Sequence, residues 1–122
     1  MLKLSVIIPA FNEEPSIIKL LSLVNEQNID GIELEVVVVD DCSTDGTLNL
    51  LKSHSELYTN LISMPKNGGK GAAVKSGLEV ASGDYVIIQD ADLEYRPSEY
   101  ARLLKPVFEF NADLVMSTRF SA

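Results

Sequence analysis

Asp84-Tyr85-Val86-Ile87-Ile88-Gln89-Asp90-Ala91-Asp92-Leu93-Glu94 is the stretch around which the chain is organised. Its first half is a short apolar, β-branched run of the kind that forms a buried strand. Its second half sends three carboxylates, Asp90, Asp92 and Glu94, off the strand end at i, i+2 and i+4. In extended backbone these positions point the same way, about 6–7 Å apart. Such carboxylates repel unless a cation lies between them. Two readings follow: a divalent-metal site, or a solvated acidic loop before the helix that Arg96-Pro97-Ser98 introduces.

Working back along the chain, strand and helix patterns alternate. Leu4–Pro9 is a near-continuous apolar run, predicted to be a strand buried on both faces. Asn12-Glu13-Glu14-Pro15-Ser16 should open a helix, with Ile17, Leu20, Leu21 and Val24 on one stripe. Asn28-Ile29-Asp30-Gly31 ends it. Glu35–Asp41 is a second strand. Cys42-Ser43-Thr44-Asp45-Gly46-Thr47 turns into a second helix with Leu48, Leu51 and Leu57 inward. Asn60–Met64 is a third strand. A glycine-rich loop, Pro65-Lys66-Asn67-Gly68-Gly69-Lys70-Gly71, leads to a third helix with Val74, Gly77, Leu78 and Ala81 at helical spacing. After the acidic stretch, Tyr100, Leu103, Leu104 and Val107 mark a fourth helix, and Ala112–Ser117 a fifth strand. This alternation predicts a three-layer α/β/α domain with a mainly parallel sheet, one domain over 1–122. Ligands of such sheets bind beyond the carboxyl ends of the strands. The polar segments Pro9–Glu13, Asp40–Asp45, Lys66–Lys70, Asp90–Glu94 and Arg119 all follow strands, which favours the metal reading.

Composition narrows the chemistry. The chain has 122 residues, 46% of them hydrophobic, enough for a single core. Ten basic against eighteen acidic residues give a net charge of −8, which argues against a nucleic-acid footprint. A single cysteine excludes an internal disulfide framework and a multi-cysteine zinc cluster, and fits a reducing compartment. The lone histidine, His54, lies away from the polar loops, so no Ser/His/Asp triad forms around it. No apolar run is long enough for a membrane span, and the N-terminus lacks a signal-peptide layout.

Five segments in order carry a resemblance to the family 2 glycosyltransferases of the GT-A fold. They are Val6-Ile7-Ile8-Pro9-Ala10-Phe11-Asn12-Glu13-Glu14, Val39-Asp40-Asp41-Cys42-Ser43-Thr44-Asp45-Gly46-Thr47, Asn67-Gly68-Gly69-Lys70-Gly71-Ala72-Ala73, Gly83-Asp84-Tyr85, and Gln89-Asp90-Ala91-Asp92-Leu93-Glu94-Tyr95. The dolichol/polyprenyl-phosphate mannose synthase-like branch is the nearest likeness. Cys42 departs from the family's usual glycine, and Ser117-Thr118-Arg119-Phe120 lacks the glycine of the family's Gly-Ser-Arg-Phe segment. Family catalytic domains also run further, into a half that shapes the acceptor site and often supplies the base. The chain therefore resembles the donor-binding half.

The resemblance implies inverting sugar transfer from a GDP- or UDP-sugar to an acceptor, with a polyprenyl phosphate as the acceptor of this branch. Mg²⁺ or Mn²⁺ would stabilise the departing diphosphate. Asp90, Asp92 and Glu94 are the expected metal ligands, with Asp92 in direct contact; Asp90 has ribose or a metal-bound water as its alternative. Pro9, Ala10, Phe11 and Glu13 would floor the nucleoside site. Asp40 or Asp41 would accept from base or ribose; otherwise both cap the next helix. Lys66, Asn67, Gly68 and Lys70 are candidate phosphate or base contacts in a loop that is not a Walker loop. Ala91 lies within the metal motif, and Arg119 is a bidentate phosphate candidate. The base is expected outside this chain. The placement implied is cytoplasmic, extending to the membrane surface, with homo-oligomerisation left open.

Two alternatives compete. One is a nucleotide-sugar-binding module without turnover. The other is a receiver-like signalling domain, which also clusters aspartates around Mg²⁺. That design resembles an acid pair after the first strand, an aspartate after the third and a lysine after the fifth. Here the pair follows the second strand, no aspartate follows the third, and Arg119 follows the fifth.

Overall fold

The computed structural model describes residues 2–91, Tyr100 and 115–117. Its elements are β1 (Leu2–Ala10), α1 (Ile17–Asn25), β2 (Ile32–Asp40), α2 (Thr47–Ser53), β3 (Asn60–Ser63), α3 (Gly69–Val80), β4 (Tyr85–Ile88) and β5 (Val115–Ser117). A single 3₁₀ turn, Ser55–Leu57, follows α2. The five strands form one sheet in the order β3-β2-β1-β4-β5, and every pairing is parallel.

The pleat sorts the apolar runs onto two faces. Leu4, Val6 and Ile8 of β1, with Val36 and Val38 of β2 and Ile87 of β4, pack against Ile17, Leu20, Leu21 and Val24 of α1 and Leu51 of α2. Ile7, Val37 and Val39 face the other way and pack with Ala73 of α3. Helices thus cover both faces, which is why these strands read as continuous hydrophobic runs. The chain reverses direction across the sheet between β1 and β4, which opens a crevice at their carboxyl ends.

Three local expectations change. The predicted first helix begins only at Ile17, because Glu13 and Glu14 are engaged with the neighbouring β2–α2 loop rather than in a first helical turn. In α2, Thr47 and Leu51 are the buried pair and Leu48 is half-buried; Leu57 falls beyond the helix, in the 3₁₀ turn, and is half-buried too. In α3 the inward stripe is Ala73 and Gly77, and Leu78 is 44% exposed. The helix approaches so closely that a Cβ on Gly77 would lie 2.6 Å from Ile7 Cγ2. Small residues, not the larger aliphatic ones, therefore face the sheet. Tyr100 is helical and fully buried. Leu103, Leu104 and Val107 lie outside the described residues.

Candidate donor-binding site

The carboxyl ends of β1, β2 and β4 and the start of α3 enclose a cleft of about 100 Å³. Pro9, Ala10 and Phe11 form its apolar wall; Asp41, Lys70, Ala73 and Asp90 complete it. This is the crevice position expected from the strand order. Phe11 is 42% exposed, so its ring lies open at the cleft it lines.

Each charged group has a defined anchorage. Asp41 is buried, and its two carboxylate oxygens accept hydrogen bonds from the backbone N–H groups of Gly68 (2.9 Å) and Gly69 (3.0 Å). It thereby fixes the turn that starts α3, where Gly69 adopts φ +86°. Asp40 is also buried and accepts from Ser43 Oγ (2.6 Å) and Ser43 N (3.2 Å). It does not line the cleft; it shapes the β2–α2 turn. Lys70 Nζ donates to Asp90 at 2.7 Å from both carboxylate oxygens. This is the only ion pair among the described residues.

The β1–α1 loop is tied to the β2–α2 loop by side chains that the motif reading left without a role. Asn12 sits in left-handed backbone, φ 52°. Its Oδ1 accepts from Thr44 N (2.8 Å) and Asp45 N (3.3 Å), while its own N–H donates to Ser43 Oγ (3.0 Å). Glu13 N donates to Thr47 Oγ1, and the Glu13 carboxylate accepts from Ser16 Oγ. Glu13 is not among the residues that line the cleft. Asp45 accepts from the Thr47 hydroxyl and backbone N–H. The Thr47 hydroxyl bond is the main reason its carboxyl is held below the ordinary range.

Behind the acidic stretch, Gln89 is fully buried and accepts from Tyr100 Oη at 2.7 Å. Burial pushes the Tyr100 phenol far above its usual range, so it stays a donor. Ala91 is buried, and its carbonyl accepts from Ser16 Oγ, which ties the acidic loop to the start of α1.

The cleft therefore gathers Pro9, Ala10, Phe11, Asp41, Lys70 and Asp90 from the expected set, and adds Ala73. A signal for Ala73 was present in the small-residue run Gly71-Ala72-Ala73, since only a short side chain lets a ligand approach the helix. Asn67 accepts from Gly69 N at 3.1 Å within its own turn and does not line the cleft. Asp92, Glu94 and Arg119 lie outside the described residues. Among the described residues no three metal-ligating side chains gather. Among the described residues Asp90 and Asp41 offer hard oxygen donors at the cleft, those of Asp41 being engaged by Gly68 N and Gly69 N. That suits an ion of the Mg²⁺ type, which takes one or two carboxylates and fills its shell with water and phosphate oxygens.

Cys42 has φ 58°, the left-handed conformation that glycine adopts freely. The glycine usual at this place in the resembling family is thus explained by the backbone. His54 closes α2, its Nδ1 within 2.9 Å of the Leu50 carbonyl, away from the cleft. No helix among the described residues is long and apolar enough to cross a membrane.

Comparison with known proteins agrees with this geometry. The chain is 33% identical over 120 residues to the dolichol-phosphate mannosyltransferase of Pyrococcus furiosus, covering 98% of this chain and 34% of that protein. The crystal structure of Staphylococcus aureus TarS 1–349 with UDP-GlcNAc superposes with a TM-score of 0.74 at 32% identity, over 89% of this chain and 32% of that one. The mannosyltransferase PcManGT of Pyrobaculum calidifontis, in complex with GDP-Man and Mn²⁺, gives 0.64 at 39% identity, over 73% of this chain and 27% of that one. The chain spans half or less of the length of the curated relatives it matches. Its sheet is the GT-A arrangement of these nucleotide-sugar transferases. With the family profile described as Glycosyl transferase family 2 matching residues 5–122, the chain belongs to that family.

Proposed function

We propose that the cleft binds the donor of a glycosyl transfer, a GDP- or UDP-sugar, for inverting transfer to a polyprenyl phosphate. The observation that carries this reading is the juxtaposition of an exposed aromatic wall with Asp41, Lys70 and Asp90 at the β1/β4 switch point. Phe11 offers a face for the base. Asp41 keeps a second lone pair on each oxygen, enough to accept from a base N–H or a ribose hydroxyl without releasing Gly68 and Gly69. Lys70 supplies the cation at the edge where a diphosphate would lie.

Asp90, together with Asp92 and Glu94, would hold Mg²⁺ or Mn²⁺, which when bound neutralises charge on the diphosphate leaving group. The relative solved with Mn²⁺ and GDP-Man supports this choice of ion and donor. In the transfer, the acceptor oxygen forms a bond to the anomeric carbon while the bond from that carbon to the diphosphate oxygen breaks. A phosphate monoester is already an anionic nucleophile, so no general base is required of these residues. With a neutral hydroxyl acceptor a base would be needed.

A thermal-shift series with GDP, UDP and dTDP, with and without Mn²⁺, tests the reading. One nucleotide should raise Tm in a Mn²⁺-dependent way, since ligand bound to the folded state stabilises it. No shift with any of them would overturn it. Donor consumption measured alongside separates a transferase from a binding module without turnover.

A further inference from the structure

We propose that Lys70 is an exchangeable internal counter-ion that masks Asp90 until a diphosphate arrives, so that metal and nucleotide bind as a coupled pair. The inference rests on the donor-site reading above. Three observations lead to it. Asp90 is enclosed, with 15% of its side chain exposed, whereas Lys70 keeps 51%. The ammonium meets both carboxylate oxygens at 2.7 Å, so the metal-facing atoms already have a cation. The backbone under Lys70 is fixed, because Asp41 holds Gly68 N and Gly69 N at the start of α3. Any exchange must therefore occur in the lysine stem, which is long, flexible and open to the cleft that both residues line.

The physical consequence is a choice between two pairings. A divalent ion arriving alone must share Asp90 with an ammonium or expel it into water, and both are unfavourable. An arriving diphosphate offers Lys70 new anionic oxygens and frees Asp90 for the ion. Metal then favours nucleotide and nucleotide favours metal by the same factor. An acidic chain thus avoids binding bare divalent ions at its ligand rim.

The test uses the 122-residue chain, its Lys70→Met and Lys70→Arg variants, Mn²⁺ alone followed by spin resonance of the free ion, and GDP and UDP with Mn²⁺ by calorimetry. Lys70→Met should bind Mn²⁺ alone about 10-fold more tightly than the parent and should weaken the metal–nucleotide coupling, expected at roughly 5–150-fold in the parent. Lys70→Arg, which keeps the charge, should resemble the parent. Lys70→Met binding Mn²⁺ no more tightly than the parent overturns the masking role, as does Lys70→Arg matching Lys70→Met. If a nucleotide binds the parent with Mn²⁺ while Lys70→Met leaves the Mn²⁺-only affinity unchanged, the donor site stands and masking fails. If Lys70→Met gains Mn²⁺ affinity but neither nucleotide binds the parent, masking stands and the donor reading fails.

Discussion

The two ends of the sheet both hold enclosed carboxylates, and they hold them differently. At the amino end Glu35, on β2, accepts from Ser5 Oγ (2.7 Å), Ser82 N (2.8 Å) and Ser82 Oγ (2.6 Å). Gly83 N in turn donates to Ser5 Oγ, and Lys3 N to Asp84. These bonds stitch β2, β1 and the α3–β4 turn together with neutral, short donors. At the carboxyl end the Asp90 carboxylate is held, among the described residues, by one side chain with a flexible stem, Lys70. A carboxylate saturated by backbone and hydroxyl donors is a structural pin. One balanced by a mobile cation can change partners. The contrast separates the half of the molecule that holds the fold from the half that meets a ligand.

The sharpest way to break the amino-end pin is Gly83→Ala. Its Cβ would lie 2.5 Å from Ser5 Oγ, and 2.7 Å from Ser5 N and 2.9 Å from Tyr85 O, two backbone atoms that cannot turn aside. A loss of about 3 kcal/mol is expected from denaturant midpoints. At the other end, Asp90→Asn should weaken Mn²⁺-dependent nucleotide binding about 10- to 100-fold, or roughly 1.4–2.8 kcal/mol by calorimetry. Its stability loss should stay within about 1 kcal/mol, since Lys70 is half in solvent. Asp92→Asn should likewise remove most metal-dependent affinity and leave the melt unchanged.

Glu35→Gln reverses the pattern. It should cost about 2 kcal/mol of stability by leaving an amide opposite donors, with nucleotide affinity intact. Burial by itself would raise the Glu35 carboxyl; the bonds from Ser82 and Ser5, aided by Lys3, outweigh it and bring it below the ordinary value of 4.5. A depressed native value means that this stabilisation is present above about pH 4.5 and disappears as pH falls through the native value. Acid melts of Glu35→Gln should therefore be flatter below pH 4.5 than those of the parent; equal slopes would remove Glu35 from the account. The smallest effect is Cys42→Gly, which relieves a left-handed non-glycine residue and should gain up to about 1 kcal/mol.

Much of this contrast was legible in the residues, and some was not. The run Leu4–Pro9 announced a doubly covered strand, because a parallel sheet leaves neither face polar, and Glu35–Asp41 announced a second strand by its β-branched residues. The convergence of Pro9, Asp41, Lys70 and Asp90 followed from each lying at the end of a strand or in the segment that follows one. The engagement of Glu13 and Glu14 was not legible. As acids before a helix they match a first-turn pattern, but their partners Thr47 and Gly46 are more than thirty residues away. Leu78 misled for a similar reason. Helical spacing defines a stripe, and close approach to Ile7 selects the smaller one. Glu35 gave no warning of its pin, since an acid opening a β-branched run reads as a strand edge.

By itself the chain order determined the alternation of elements, the parallel sheet, the family and the rim on which the acids stand. These depend on local periodicity and on motifs of neighbouring residues. The tertiary structure alone decided which carboxylate holds a turn, which pins the sheet and which faces the cleft. Asp40, Asp41 and Asp90 are alike as residues at strand ends. They differ only in what the fold brings to them: Ser43, two glycine amides, or a lysine ammonium. A carboxylate's role is set by its donors, and here the decisive donors of Asp41 and Asp90 come from α3 and the turn that starts it, far along the chain.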